Sequence, residues 1–180
     1  AFDPSVTIGE DLYRRDTTMN AMAMELPDGQ LFDPYGGRAD IAAGVIRAVS
    51  HHFTEDPVRA LRVARQAAAF GYTVEERTIS YMRACADELR REPTERLMGE
   101  LRHALGTDRP SVFFRVLNAA NLLSVTFPEI AALVGKTQPT DFHPEGDAFA
   151  HTMAMVDAVA AETADMRTRF AALVHDIGKG

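Results

Sequence analysis

The segment Glu55-Asp56-Pro57-Val58-Arg59-Ala60-Leu61-Arg62-Val63-Ala64-Arg65 sets a carboxylate one helical turn ahead of three arginines at three-residue spacing. Three residues turn a helix by about 300°, so Arg59 and Arg62 lie near each other and Arg65 drifts on by about 60°. An Asp–Arg pair can read one kind of base edge. Cytosine and adenine both show an exocyclic amino donor beside a ring-nitrogen acceptor; a carboxylate accepts from the first and a guanidinium donates to the second. Uracil and guanine present a carbonyl and a ring N–H there, which reverses the pattern. Asp56 with Arg59 would therefore take C and A and refuse U and G. The same residues also read as a plain helix start, because Asp56-Pro57 is a cap followed by a first-turn proline.

Two other groupings could carry chemistry. Arg14-Arg15-Asp16 offers paired guanidinium forks, which bind phosphate strongly; the alternative is surface ion pairing with Glu10, Asp11 and Asp16. His151, with the adjacent His175-Asp176 at a helix end, has the donor types of a divalent metal site. His143 and Asp147 lie nearby and could orient those ligands. A buried histidine can equally be a hydrogen-bonded core residue. His51, His52 and His103 have no partner pattern. There is no Walker-type glycine loop and no Gly-x-Ser-x-Gly elbow, and Cys85 falls on an apolar helical face.

These residues need elements to hold them. Met22 to Leu26 and Gln30 to Phe32 flank Pro27-Asp28-Gly29 and predict a hairpin. Asp33-Pro34-Tyr35-Gly36-Gly37 is a turn cluster, and Asp40 can cap a helix from about Ile41 to Val49. From about residue 55 the periodicity is helical. A helix is predicted from Asp56-Pro57 to about Phe70, stopped by Gly71. Ile79, Met82, Cys85 and Leu89 share one apolar face; Leu97, Met98, Leu101 and Leu105 share another, ended by Gly106; Phe113, Val116, Leu117 and Leu122 continue the pattern. Pro128 opens a short helix to Gly135. Residues 137–146 are polar and read as a linker, before helices at about Ala148–Glu162 and Met166–His175.

The 180 residues are 46% hydrophobic and 25% charged, ordinary for a folded chain. No apolar run approaches the roughly 20 residues of a membrane helix, and no secretory leader is visible. One cysteine excludes an intrachain disulfide framework, and a reducing cytoplasm fits. The net charge of -7 is unevenly spread. Residues 1–46 carry 3 basic and 8 acidic side chains, residues 47–115 carry 12 and 10, and residues 116–180 carry 4 and 8. All 12 bases of the middle stretch are arginines, the residue suited to phosphate and base edges, though a solvated helical surface of Arg–Glu pairs has the same composition. The sequence opens on Ala1 and stops just after His175-Asp176, so it is expected to be an internal segment of a longer protein.

In this order, the segments resemble the class II tRNA nucleotidyltransferase/poly(A) polymerase family across essentially the whole chain. Arg14-Arg15-Asp16-Thr17-Thr18-Met19-Asn20-Ala21-Met22-Ala23 is similar to that family's second head motif, with Thr17 in place of its usual Phe. Asp33 to Gly37 with Asp40 resembles the hinge motif. Glu55-Asp56-Pro57-Val58-Arg59 resembles the nucleotide-recognition motif, with Arg62 and Arg65 matching further nucleotide contacts. Thr94-Glu95-Arg96 to Leu105 is similar to the neck helix that braces it. His143-Pro144-Glu145, His151 and His175-Asp176-Ile177-Gly178-Lys179-Gly180 resemble the HD phosphohydrolase module of bacterial multifunctional CCA-adding enzymes.

The resemblance implies an α+β, mostly α chain. Residues 1–47 would end a nucleotidyltransferase head, 48–136 would form a helical neck and body, and 137–180 would begin an all-α HD domain. The implied activity is addition of C, C and A to tRNA 3′ ends from CTP and ATP, with a metal-dependent phosphatase or phosphodiesterase. Arg15, Asp56, Arg59, Arg62 and Arg65 would bind nucleotide. His151, His175 and Asp176 would hold a divalent metal, Ni²⁺ being a candidate. Implied partners are tRNA, ATP and CTP, with no membrane. The family's Mg²⁺-binding Asp-x-Asp pair is absent from these residues, so no catalytic residue is assigned and the segment alone is not expected to polymerise. Alternatives are a poly(A) polymerase of the same family, or an HD phosphohydrolase with RNA-binding helices.

Overall fold

A computed structural model describes residues 5–27, 29–137 and 147–179. Asp28 of the hairpin turn, residues 138–146 of the linker with His143, and Gly180 lie outside the described residues.

The chain opens with helix α1 (Ile8–Tyr13), started by a capping box. The Thr7 hydroxyl accepts from the Glu10 amide and the Glu10 carboxylate accepts from the Thr7 amide. A short 3-10 turn at Thr18–Asn20 leads to strands β1 (Ala23–Met24) and β2 (Leu31–Phe32), which pair antiparallel with Ala23 opposite Phe32, as the hairpin pattern predicts.

The next element departs from expectation. Helix α2 runs Gly37–Ala43, not from 41 to 49, and Asp40 is not its cap. Asp33 caps it instead, its two carboxylate oxygens accepting from the Gly37 and Arg38 amides at 2.7 and 3.0 Å. Gly44 then takes a left-handed conformation (φ +65°) and ends the helix. That frees β-branched Val45-Ile46 to form β3 (Val45–Ile46), parallel to β4 (Thr73–Val74). Asp40 is buried, accepting from the Thr18 hydroxyl at 2.7 Å and from Arg47, whose Nη1 also donates to Glu75. This cluster locks α2 to the strands.

Gly37 sits where a side chain cannot. A Cβ there would lie 2.3 Å from the Thr18 carbonyl oxygen. Gly37→Ala is therefore expected to cost about 1–3 kcal/mol, read as a fall in the denaturant midpoint at unchanged m-value.

Helix α3 (Arg59–Phe70) follows a 3-10 turn at His51–Glu55 and ends at Gly71 (φ +67°). Its buried face, with Leu61, Val63, Ala64 and Ala67, packs on α6 and α7. Then come α4 (Glu76–Ala84), α5 (Ala86–Leu89), α6 (Thr94–Leu105), α7 (Ser111–Ala119), α8 (Leu123–Thr126), α9 (Pro128–Ala131), α10 (Ala148–Glu162) and α11 (Met166–Val174). The apolar positions predicted along α4 to α7 are buried, with Val116 half-buried and Met98 as the exception. Met98 is 41% exposed and lines a surface groove with Met166 and Phe170 rather than entering the core.

One buried apolar cluster runs from Ile46 and Phe53 through Phe113 and Phe114 to Phe149, Met153, Val156 and Leu173, so α10 and α11 share the core of the preceding helices. Polar clamps reinforce the join. Asp157 accepts from both the amide and the hydroxyl of Ser111, capping α7 from another helix. Arg169 is buried and donates to four carbonyls: Leu105 and Thr107 at and just past the end of α6, and Ala160 and Thr163 at the end of α10. A guanidinium among helix C-terminal carbonyls meets the negative end of each macrodipole.

Candidate nucleotide-reading site and metal cluster

Asp56 lies in extended backbone just before α3. Its Oδ1 accepts from the Val58 amide at 3.2 Å, and its carbonyl accepts from the Arg59 amide at 3.0 Å. The helix-start function is thus real, but it uses only part of the carboxylate. Oδ1 also accepts from Arg96 Nη2 at 2.8 Å, while Oδ2 has Arg62 Nη2 at 3.8 Å, beyond hydrogen-bond reach. One carboxylate oxygen is anchored and the other remains available to accept a hydrogen bond from an amino group.

Arg59 is held separately. Its Nη1 donates to the His52 carbonyl at 2.6 Å, leaving its other N–H groups to donate elsewhere. Arg62 and Arg65 converge on Glu100, at 3.4 and 2.7 Å. Arg96 also pairs with Glu92 at 2.6 Å. The structure therefore brings Asp56, Arg62 and Arg65 together through α6.

Sequence reasoning did not single out Glu92 and Glu100, and named Arg96 only within the neck helix. Glu92, Arg96 and Glu100 recur at four-residue intervals with alternating sign, the spacing of one helix face. That periodicity is the signal, but only the tertiary contact shows whom it serves.

Arg15 is not in this group. Its Nε and Nη2 both donate to Asp11 Oδ2, at 3.2 and 2.7 Å, on the half-exposed end of α1. Its neighbour Arg14 spans to Glu55 at 3.0 Å, next to Asp56. Glu55 also meets His52 Nδ1 at 2.6 Å, and hydrogen bonds from His52 and Arg14 pull its carboxyl down to about 2. The Glu55 carboxylate is therefore charged throughout the neutral range, and its bond to Arg14 is lost only as pH falls through that value. Asp16 is buried and accepts from the Thr17 amide and the Asn20 side chain. Cys85 is a core residue: it donates to the Tyr81 carbonyl, and burial pushes its thiol up to about 11.

His151 on α10 and His175-Asp176 after α11 come together, with one ligand atom from each within 4.8 Å of the others. His175 Nδ1 lies 2.8 Å from the Ala172 carbonyl. Donation there puts the lone pair on Nε2, which lies 3.4 Å from Asp176 Oδ2. Two imidazoles and a carboxylate fit a divalent transition metal. Asp147, a candidate for orienting these ligands, instead spends one oxygen on the Ala150 amide, capping α10, and the other on the Gly135 amide in the turn after α9.

Residues 3–47 match the poly A polymerase head domain, and residues 71–133 match the probable RNA- and SrmB-binding site of polymerase A. The chain belongs to the tRNA nucleotidyltransferase/poly(A) polymerase family. Within it, the chain is similar to the multifunctional CCA proteins of Vibrio parahaemolyticus, at 49% identity, and Nitrosococcus oceani, at 48%. These alignments cover 99% and 98% of this chain but 45% and 44% of the relatives, so the chain spans less than half their length. Among solved structures it resembles a tRNA nucleotidyltransferase complexed with a primer tRNA and an incoming ATP analog (27% identity, TM-score 0.71, 98% of this chain and 52% of that one). It also resembles a CCA-adding enzyme with ATP (31% identity, TM-score 0.69, 93% and 40%). The mostly helical α+β architecture is theirs. No helix among the described residues is long and apolar enough to cross a membrane.

Proposed function

We propose that this chain is the part of a CCA-adding tRNA nucleotidyltransferase that reads the incoming base and grips the tRNA. The observation that carries the reading is Asp56: anchored through Oδ1 by Arg96 and the Val58 amide, with Oδ2 available, directly before the arginines of α3. Asp56 and Arg59 present the acceptor–donor edge that suits C and A. Arg62 and Arg65, steadied by Glu100, carry cationic forks beside it, and Arg15 adds one for the triphosphate. Asp56, Arg59, Arg62 and Arg65 lie in residues 48–70, between the two family matches, while Arg96 and Glu100 fall in the second.

Residues 1–47 would end the head, 48–136 form neck and body, and 137–180 begin an HD domain. Arg90, Arg91, Arg102, Arg109 and Arg115 are exposed and make no ion pair among the described residues. They suit tRNA phosphates, with affinity falling steeply as salt rises.

Metal-assisted phosphoryl transfer needs carboxylates spaced to hold Mg²⁺, which supplies charge neutralisation of the triphosphate. These residues do not provide them: no Asp-x-Asp occurs, Asp11 is paired with Arg15, and Asp16 is buried. The pair would come from elsewhere in the protein, and this segment alone would not polymerise.

His151, His175 and Asp176 fit an HD-type metal such as Ni²⁺, which when bound would supply Lewis acidity for phosphate-ester hydrolysis. Losing a ligand is expected to weaken Ni²⁺ binding by more than about 100-fold in the His151→Ala and His175→Ala proteins, measured by calorimetry. Phosphate release from small phosphoesters should fall with it, while nucleotide addition stays unchanged.

The function is tested by incubating the full-length protein with a tRNA lacking its 3′ CCA. CTP and ATP incorporated, with UTP and GTP refused, supports it. A tail of A alone would move the protein to the poly(A) polymerases. Ester hydrolysis without addition would leave an HD phosphohydrolase with RNA-binding helices.

A further inference from the structure

A cleft of about 550 Å³ opens beside the Glu55–His52 link, lined by Val6, Gly9, Tyr13, Arg14, Tyr35 and His52 among others. Its walls are rings. Tyr13 stands 5.8 Å from Tyr35 and 5.3 Å, edge to face, from His52, whose ring leans on His51 at 4.2 Å. The rings sit on fixed backbone. The Ser50 hydroxyl donates to the Tyr13 carbonyl at 2.8 Å, and the Tyr35 hydroxyl donates to the Gly9 carbonyl at 3.0 Å. Tyr13 remains 38% exposed, and the Arg14 side chain is mostly exposed at the cleft edge.

Several polar groups at and beside the cleft are already engaged. Glu10 accepts from Thr7, Glu55 is bound by His52 and Arg14, and the Tyr35 hydroxyl is spent on Gly9. What remains is the aromatic surface with the Tyr13 hydroxyl at its edge, and the N–H groups of Arg14 that Glu55 does not use; rings and a guanidinium plane stack a base whatever its edge. The cleft adjoins the reading edge, since the His52 carbonyl holds Arg59 and Glu55 precedes Asp56. We infer that this cleft stacks the unpaired 3′-terminal base of the RNA being extended. The inference rests on the CCA reading above. There the terminal base changes identity as C, C and A are added, so the growing end needs a site that holds any base. The incoming base, by contrast, must be discriminated, and Asp56 with Arg59 does that.

The test uses the full-length protein, a fluorescent tRNA lacking CCA, and a blunt RNA hairpin with no unpaired terminal base. Tyr13→Leu removes the ring and keeps bulk at a surface position; Tyr13→Phe keeps the ring. Tyr13→Leu is expected to weaken binding of the tRNA by roughly 5- to 150-fold, with affinity for the blunt hairpin and for CTP unchanged and Tyr13→Phe binding like wild type. Equal binding by Tyr13→Leu and wild type would overturn the inference alone. A loss confined to CTP would overturn it too, giving the cleft to the incoming nucleotide. Failure of the wild-type protein to bind this tRNA would overturn the functional reading beneath it.

Discussion

Asp56→Asn, in the full-length protein, is expected to keep its fold and its tRNA affinity while losing its choice of nucleotide. The asparagine carbonyl oxygen can still accept from the Val58 amide, so the start of α3 survives. What changes is the second position. Asp56 Oδ2 is an acceptor with no donor in hydrogen-bond reach among the described residues, and in asparagine it becomes an NH₂ that would face the exocyclic amino group of C or A donor to donor. A good bidentate base contact gives about 1–3 kcal/mol of discrimination. Incorporation efficiency for CTP and ATP should therefore drop by about one to two orders of magnitude, and the preference over UTP and GTP should shrink with it. Steady-state kinetics with each nucleotide measures this. A protein that melts much earlier but keeps its selectivity would reduce Asp56 to a structural turn. The Arg96–Asp56 bond would weaken in this variant as well, because a charged acceptor becomes neutral. Arg96→Met is the control: it removes the brace while leaving the reading carboxylate in place.

The largest effect on stability is expected at Arg169. Its guanidinium donates to the carbonyls of Leu105, Thr107, Ala160 and Thr163, and the residue is 6% exposed. Arg169→Met keeps an apolar stem of similar reach but leaves those acceptors without this donor. Each unsatisfied buried polar group costs about 1–3 kcal/mol, and rearrangement and water recover part of it. A net loss of about 3 kcal/mol is expected, or roughly 6–12 °C in melting temperature for a chain of this size. Because α11 leads into His175-Asp176, Ni²⁺ affinity should fall in the same variant without any ligand being touched. A thermal melt within a degree or two of wild type would show that the join between α6, α10 and α11 is carried by Phe149, Met153 and Leu173 alone.

Much of this was legible in the sequence, where the signal is local. Gly71 sets the end of α3, because a left-handed glycine acts on its own backbone; the start falls at Arg59 rather than at Asp56-Pro57, since Asp56 braces the turn before the helix through the Val58 amide and Pro57 lies outside it. The burial of Ile79, Met82, Cys85 and Leu89 follows from periodicity. His151, His175 and Asp176 stand out by residue type, and the geometry brings them within metal-binding reach. Other features depend on partners distant in sequence. Asp40 has the look of a helix cap, and only the approach of Thr18 and Arg47 makes it a buried acceptor. Glu100 shows as one more surface acid until α6 lays it across Arg62 and Arg65. Arg169 carries no local sign of burial, since its carbonyl partners lie at the ends of two helices. In sequence, Arg15 suits a phosphate ligand and an ion-pair partner equally; in the structure it pairs with Asp11.

The central claim is that the Asp56–Arg59 edge selects C and A for addition to tRNA. Its most direct test gives the full-length protein a tRNA lacking CCA and one labelled nucleotide at a time, with Asp56→Asn run in parallel and every product sequenced. Wild type should add C to the bare end, add A only after two C residues, and leave UTP and GTP unused, while Asp56→Asn should add slowly and with U or G among its products. Wild-type products that contain U or G, or an Asp56→Asn protein that keeps full speed and C/A fidelity, would contradict it.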